Sequence, residues 1–182
     1  MSDLIKRIAV IGPESSGKSE LCQKLAALYQ TRWVPEFARI YLSNLEHHYT
    51  IDDIVKIYET QFQQEQELSV SAVNYIFTDT EFIIAKVWCE NSFKKCPGYI
   101  DEMIKAHPYD LYLLTAPDLP WVYDPLRENP GKGDFFFKWY VRLLEENNFN
   151  YGIVSGTNEQ RTGNAVAIIE QQFSKTKGLR LH

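Results

Sequence analysis

Eight residues near the start of the chain have the types and spacing of a phosphate-binding loop. The pattern G-x-x-x-x-G-K-[ST] is matched in full by Gly12, Pro13, Glu14, Ser15, Ser16, Gly17, Lys18 and Ser19. Glycines at the two fixed positions allow backbone N–H groups to turn inward around an anion. In such a loop Lys18 would reach the β- and γ-phosphates, and the Ser19 hydroxyl would coordinate Mg²⁺. The eight residues therefore predict a binding site for ATP or a related triphosphate.

The flanks of this loop fit the same interpretation. An apolar run over residues 6–11 precedes it, and Leu21, Leu25 and Leu28 follow at helical spacing. A strand–loop–helix unit points the positive end of the helix dipole at the bound anion. The alternative is an ordinary glycine-bearing turn with a chance lysine, and the complete pattern argues against it.

Asp79 is a second candidate, because it ends the apolar run 75–79. An acid at the end of a strand is the second magnesium ligand of many phosphate-loop proteins. We therefore predict that Asp79 and Ser19 form the metal site, and Asp79 could also take the proton from an attacking hydroxyl. The alternative is a helix cap, since Thr80 and Glu81 open a helical segment.

Glu36 and Arg39 lie three positions apart at the predicted start of a helix, so both side chains can point the same way. The carboxylate could accept hydrogen bonds from sugar hydroxyls, and the guanidinium could hold a phosphate or the carboxylate itself. The alternative is a surface ion pair worth less than about 1 kcal/mol.

Residues 115–134 carry four prolines and two glycines, which is too many breakers for a core element. We predict that this lid segment (residues 115–134) covers the site. Arg127 in it is typical of lid arginines that neutralise charge on a transferring phosphoryl group. Trp121 is either a packing anchor or a flat ring that stacks on a heterocycle.

Strands and helices alternate along the whole chain. Strands are predicted at 6–11, 32–34, 75–79, 110–114 and 151–155, and helices after the loop and at 36–45, 51–73, 81–90, 97–107, 136–144 and 158–173. This order predicts a single α/β domain with the three-layer P-loop fold: a mostly parallel five-stranded sheet covered on both faces. Ligands then bind beyond the carboxyl ends of the strands, which puts the candidate residues along one edge.

Two details concern the long helix and the C-terminal tail. The Thr50 hydroxyl is predicted to cap the helix that starts at Ile51. Residues 61–67 of this helix are strongly polar, so we expect part of it to face solvent or a cleft. The basic tail over residues 174–182 is expected to be loose.

Composition excludes several classes of protein. A chain of 182 residues can bury a sizeable core in one domain. Its net charge of −5 argues against broad nucleic-acid binding. No apolar run approaches the roughly 20 residues of a membrane span, and strand-like sequence starts too early to leave room for a signal peptide. Cys22, Cys89 and Cys96 form no paired pattern, which favours free thiols and a cytoplasmic location.

These motifs together resemble the ribosylnicotinamide kinase domain of the NadR family, a set of small P-loop kinases. GPESSGKS is similar to that family's G-[GP]-E-S-S-G-K-S, PEFAR to W-E-Y-x-R, FTDTE to F-I-D-T-D and WVYDPLR to W-V-x-D-G-L-R. Thr60-Gln61-Phe62 is similar to its A-Q-Y, and Arg161 falls on an arginine of the final helix. The resemblance runs in order from Ile8 to about Glu170.

The resemblance implies phosphorylation of the 5′-hydroxyl of nicotinamide riboside by ATP and Mg²⁺, giving nicotinamide mononucleotide. It implies catalytic roles for Lys18, Asp79, Glu36 and Arg127. It implies substrate contacts for Glu36, Arg39, Gln61, Trp121 and Asp124. The alternatives are a kinase for another nucleoside or small alcohol, and a regulatory ATPase.

Two departures from the family pattern fall near the predicted nucleoside base. Pro35 replaces the family's aromatic residue before the glutamate, and Phe62 replaces its tyrosine. Trp33 shares a face with position 35 on an extended segment, so it could stack on the base instead.

Overall fold

Five strands alternate with seven helices in the computed structural model, which describes residues 5–178. The strands are β1 (Lys6–Ile11), β2 (Arg32–Val34), β3 (Tyr75–Asp79), β4 (Leu111–Thr115) and β5 (Tyr151–Val154). The helices are α1 (Lys18–Leu28), α2 (Phe37–Ser43), α3 (Ile51–Ser69), α4 (Phe82–Phe93), α5 (Gly98–Ala106), α6 (Gly133–Glu146) and α7 (Asn158–Gly178). The sheet has the order β2-β3-β1-β4-β5 and all four pairings are parallel, which confirms the predicted fold class.

The two faces of the sheet are covered by different helices, because side chains alternate along each strand. On β1, Ile8 and Val10 pack with residues of α1 and α7. Ala9 and Ile11 face the opposite way and pack with residues of α3, α4 and α6. All four side chains are fully buried, so β1 is the centre of a three-layer core.

The strand register brings the chemically interesting residues to one edge. Val10 of β1 pairs with Asp79 of β3, and Thr115 of β4 pairs with Val154 of β5. The phosphate-binding loop leaves β1 at this same edge. Parallel pairing therefore sets the loop directly beside the carboxylate that ends β3.

The cap predicted at Thr50 is confirmed. The Thr50 hydroxyl accepts a hydrogen bond from the Asp53 amide at 3.3 Å, and the Asp53 carboxylate accepts one from the Thr50 amide at 2.8 Å. These reciprocal bonds form a capping box at the start of α3. The helix ends at Ser69, four residues before the predicted end.

The expectation that part of residues 61–67 faces solvent or a cleft is confirmed, because Gln63, Gln66 and Glu67 are exposed. Two polar residues of the same stretch are nevertheless part of the core. Gln61 and Glu65 are almost completely buried. The Glu65 carboxylate accepts hydrogen bonds from Arg7 Nε at 2.5 Å, from Thr78 Oγ1 at 2.7 Å and from the Tyr109 hydroxyl. Polar side chains are tolerated in a core when they are paired in this way, so polarity alone did not indicate exposure.

Some predicted boundaries move by a few residues. Strand β4 begins at Leu111, one residue later than predicted, and the preceding Asp110 carboxylate accepts hydrogen bonds from the Arg7 amide and the Lys6 ammonium. Strand β5 ends at Val154. Helix α7 continues to Gly178, so the expected loose tail is helical over residues 174–178, and residues 179–182 lie outside the described part.

The three cysteines are free thiols, as their spacing predicted. Along residues 5–178, none of the helices combines the length and the apolar character that crossing a membrane requires.

Replacing Thr50 by alanine should destabilise the protein by about 1 kcal/mol, since the substitution removes half of the capping box. For a domain of this size that loss lowers the melting temperature by about 2–4 °C in calorimetry. Asp52→Ala is the control, because Asp52 lies in the same first turn but outside the capping box. Equal melting temperatures for Thr50→Ala and the wild type would contradict this account of the helix start.

Candidate active site

The loop between β1 and α1 has the backbone of an anion cradle. Gly12 has φ of 149° and Gly17 has φ of 76°, values that favour glycine. A Cβ atom on Gly12 would lie 2.2 Å from Thr115 Oγ1, so no larger residue fits there. Gly17 is also the N-cap of α1, which places the first amides of that helix at the loop.

Lys18 and Ser16 hold this loop together from inside. The Lys18 ammonium donates hydrogen bonds to the carbonyls of Gly12 at 3.0 Å and Pro13 at 2.8 Å. The Ser16 hydroxyl donates to the Pro13 carbonyl at 2.7 Å, and its oxygen lies 2.6 Å from Thr115 Oγ1. Lys18 is thus folded back onto the loop that it follows.

Asp79 lies beside this loop with a buried and unpaired carboxylate. The residue is 0% exposed, and neither carboxylate oxygen has a hydrogen-bond partner within residues 5–178. Burial, with the nearby Glu36 carboxylate, raises the pKa of Asp79 to about 6, although Lys18, Ser19 and Arg39 act in the opposite direction. Two unpaired oxygens in a buried site are suited to a cation.

The alternative role of Asp79 as a helix cap is wrong. Glu81 is the N-cap of α4, and both of its carboxylate oxygens accept a hydrogen bond from the Ile83 amide at 3.0 Å. Asp79 is left free for another partner. No cluster of three or more His, Cys, Asp or Glu occurs in the described part of the chain, so a metal here would depend on Asp79, Ser19 and oxygens of the ligand.

Gln61 fixes the backbone that presents Asp79. Its amide nitrogen donates to the carbonyls of Asp79 at 2.6 Å and Thr80 at 2.8 Å, and its oxygen accepts from the Phe37 amide at 3.0 Å. Thr80 has φ of 71°, a strained value for a β-branched residue. Gln61 therefore links the end of β3 to the start of α2 and supports this strained turn.

A cavity of about 650 Å³ opens from the loop towards the β2–β3 side of the sheet. All eight predicted loop residues line it, together with Glu36, Arg39, Asp124 and Arg127. The Arg39 guanidinium donates to the Asp124 carboxylate at 2.7 Å, and this contact is the main cause of the lowered pKa of Asp124. Candidate residues from α1, α2 and the lid segment thus meet at one cavity.

Three predicted ligand contacts are not part of the cavity wall. Gln61 uses its amide in the backbone contacts described above. Trp121 lies in the lid segment with its ring against Tyr123, and Trp33 packs on the opposite face of the sheet. None of the three lines the cavity, and neither does Asp79, whose carboxylate is fully buried. A ligand contact by any of these four residues stays a prediction.

The lid segment is tied to the phosphate-binding loop by the residues that vary in the general pattern. The Glu14 carboxylate accepts hydrogen bonds from the amides of Glu128 at 3.2 Å and Asn129 at 3.1 Å, and from the Asn129 side chain at 3.1 Å. Ser15 Oγ accepts one from the Val122 amide at 3.1 Å. Loop and lid segment are therefore coupled directly.

Arg161 is a further tie that the residue pattern alone did not indicate. This buried guanidinium donates to the carbonyls of Ser16 and Ala116, both at 2.9 Å, and to the Asp118 carboxylate at 2.9 Å. It joins the loop, the root of the lid segment and α7. Only the family resemblance had pointed to this residue.

Sequence reasoning also missed the aromatic part of the cavity wall. Tyr49, Trp88 and Asn91 line the cavity, together with Tyr58, Phe136 and Tyr140. The available signal was the spacing of Ile84, Val87, Trp88 and Asn91, which repeats every three or four residues and so marks one face of α4.

The chain matches known proteins over most of its length. The model of the AAA domain family AAA_28 matches residues 7–161. The trifunctional NAD biosynthesis/regulator protein NadR of Escherichia coli strain K12 is 30% identical over 156 residues, which cover 81% of this chain and 37% of NadR. This chain therefore spans well under half the length of that relative.

Solved structures share the fold of this chain. The crystal structure of a NadR protein in complex with NAD and AMP-PNP has a TM-score of 0.78 and 20% identity, covering 94% of this chain and 50% of that one. The NadR structure in complex with NR has a TM-score of 0.75 and 20% identity, covering 94% and 52%. The chain belongs to the AAA domain family and is homologous to part of NadR, which confirms the resemblance noted in its sequence.

Glu14→Ala should loosen the lid segment without unfolding the domain, because it removes three hydrogen bonds to Glu128 and Asn129. We expect trypsin to cleave after Arg127 or Lys132 about tenfold faster or more in the variant, because the three lost bonds are worth at least about 0.5 kcal/mol each. Glu67→Ala, an exposed change on α3, is the control. Unchanged cleavage of Glu14→Ala would contradict the coupling of loop and lid segment.

Asp79→Asn should stabilise the ligand-free protein at neutral pH. The raised pKa means that ionised Asp79 opposes folding above about pH 6, and this penalty disappears as the pH falls to about 4, the pKa of an unfolded aspartate. The variant should gain up to about 3 kcal/mol near pH 7.5 and nothing near pH 4, measured by thermal unfolding.

Asp52→Asn, an exposed change in α3, is the control for this pH series. If Asp79→Asn is less stable than the wild type near neutral pH, other groups must stabilise the ionised Asp79 carboxylate in the folded protein. That result would contradict the prediction.

Proposed function

We propose that this member of the AAA domain family is an ATP-dependent kinase that phosphorylates the 5′-hydroxyl of nicotinamide riboside, giving nicotinamide mononucleotide. The observation that carries the proposal is the arrangement around one cavity. The phosphate-binding loop, Glu36 and the Arg39–Asp124 ion pair line it, and the buried, unpaired Asp79 carboxylate ends the strand next to β1 without lining it. A phosphoryl donor and a hydroxyl acceptor could be held face to face there.

On the donor side, the loop amides and Lys18 bind the β- and γ-phosphates. Ser19 and Asp79 would hold Mg²⁺, which when bound neutralises charge on the phosphate oxygens. The two unpaired oxygens of Asp79 fit this role. Arg127, from the lid segment, lies at the same cavity and would neutralise charge on the transferring group.

On the acceptor side, Glu36, Arg39 and Asp124 bind the ribose. The Arg39–Asp124 ion pair joins α2 to the lid segment, so it is placed to close over the sugar. Of the two carboxylates that could accept the proton, Glu36 lines the cavity and Asp79 does not. We therefore assign proton acceptance to Glu36.

The phosphoryl transfer needs no further reactant. The acceptor oxygen forms a bond to the γ-phosphorus while the bond from that phosphorus to the ADP oxygen breaks, and the hydroxyl proton passes to Glu36. Positioning the two substrates can supply about 7–11 kcal/mol of the barrier. Electrostatic stabilisation by Lys18 and Arg127 would supply a further part.

The relatives support the choice of substrates. NadR proteins have been crystallised with AMP-PNP, an analogue of ATP, and with NR. The matched E. coli relative is named for NAD biosynthesis. Since this chain spans only part of that relative, the activity is proposed from the site together with the homology.

The test is ADP release from Mg-ATP in the presence of a panel of ribosides. We expect nicotinamide riboside to stimulate ADP release strongly, and Asp79→Asn to lower the stimulated rate by about 100-fold or more while ATP still binds. Asp52→Asn is the matched control and should keep the wild-type rate. A slow rate that no riboside stimulates would favour a regulatory ATPase, and stimulation by another riboside alone would change the acceptor.

A further inference from the structure

One face of α4 forms a wall of the cavity beyond the phosphate-binding loop. Ile84, Val87, Trp88 and Asn91 line it. Their spacing places them along one stripe of the helix, about 10 Å long from Ile84 to Asn91. Helix α4 starts three residues after Asp79, so the wall leads away from the phosphate position and towards Asn91.

Tyr49 completes an aromatic surface with Trp88. Their ring centroids are 5.0 Å apart with an interplanar angle of 65°, an edge-to-face contact that fixes both rings. The Tyr49 hydroxyl donates to the Glu128 carboxylate at 2.7 Å, which ties this surface to the lid segment. Trp88 is only partly buried, so part of its ring is available to a ligand.

The position of the wall favours the acceptor over the donor. Glu36 and Arg39, which follow β2, line the same cavity, whereas residues 155–158, which follow β5, do not. The cavity therefore extends from the loop towards β2 and β3. A ligand whose hydroxyl lies near Glu36 would direct the rest of its structure along α4.

We propose that Tyr49, Trp88 and Asn91 form the binding site for the planar heterocycle of the acceptor, and that they determine which ring is accepted. This inference rests on the proposed kinase function. Trp88 and Tyr49 supply flat apolar surface, and electron-rich ring faces attract a heterocycle that carries positive charge. Asn91 offers one acceptor and two donors at the end of the wall, which match a carboxamide on the ring.

The nicotinamide ring of nicotinamide riboside has both of these properties. It is a cationic heterocycle with a carboxamide substituent. Glu128 adds a negative charge beside Tyr49. A neutral ring without an amide would keep the stacking surface and lose the other two contacts.

The experiment compares steady-state kinetics of Trp88→Ala, Trp88→Phe and Asn91→Ala with the wild type, using the riboside that best stimulates ADP release. Trp88→Ala should raise the KM for the riboside by about tenfold or more, the loss typical of removing a stacking partner. Trp88→Phe should recover most of that loss. The kcat and the KM for ATP should change by less than about threefold in each variant.

The Asn91→Ala variant should remain folded, because alanine is favourable in a helix. A change in its kinetics therefore reports on the ligand contact. It should raise the KM for nicotinamide riboside about tenfold, as expected for lost hydrogen bonds, and change the KM for a riboside lacking the carboxamide much less. Trp139→Ala is the matched control, since Trp139 lies on α6 and does not line the cavity.

The outcomes separate this inference from the proposed function. An active enzyme in which Trp88→Ala and Asn91→Ala leave the riboside KM unchanged would overturn the assigned wall and leave the kinase standing. A raised KM for ATP in Trp88→Ala would also overturn it, by assigning the wall to the donor. A wild-type protein that no riboside stimulates would overturn the kinase itself.

Discussion

The buried carboxylate of Asp79 is the constraint on which the rest of the site depends. It ends a strand of the sheet centre, has no hydrogen-bond partner among residues 5–178 and is held at a strained turn by Gln61. An uncompensated group of this kind costs stability, so the surrounding structure must hold it in place. Gln61 does so from α3 while its other end fixes α2, which carries Arg39. The end of β3 and the start of α2 are thus connected through one side chain.

Residues of the phosphate-binding loop likewise serve two purposes, since some form the cradle and others bind the lid segment. The fixed glycines and Lys18 build the cradle, as the general pattern requires. Glu14 and Ser15, which the general pattern leaves open, bind the lid segment, and Ser16 contacts Thr115 at the end of β4. Arg161 closes this arrangement from α7. A loop that binds phosphate is in this way also the anchor of the segment that carries Arg127.

The sequence was sufficient for the fold and for the position of the phosphate-binding loop. Loop, strand ends and lid segment could be predicted because each depends on local patterns: a motif, a run of apolar residues, a cluster of prolines. The rest of the cavity wall could not, because its residues are brought together by contacts between distant segments. Gln61 has the appearance of a surface glutamine until the backbone of Thr80 is placed against it. Trp121 stands in a proline-rich segment, which indicates a loop near the site, whereas Trp88 lies within an apolar helical stretch that is typical of the core, although it lines the cavity.

The most direct test of this account is the titration of Asp79 itself, by NMR of protein labelled with carbon-13 at aspartate side chains. In the ligand-free protein the Asp79 carboxyl should titrate near pH 6, because it is buried and unpaired. On addition of Mg²⁺ with AMP-PNP its pKa should fall below that of an ordinary aspartate, since a cation stabilises the ionised form. An ordinary pKa that does not respond to the metal and nucleotide would contradict the central role given to this carboxylate.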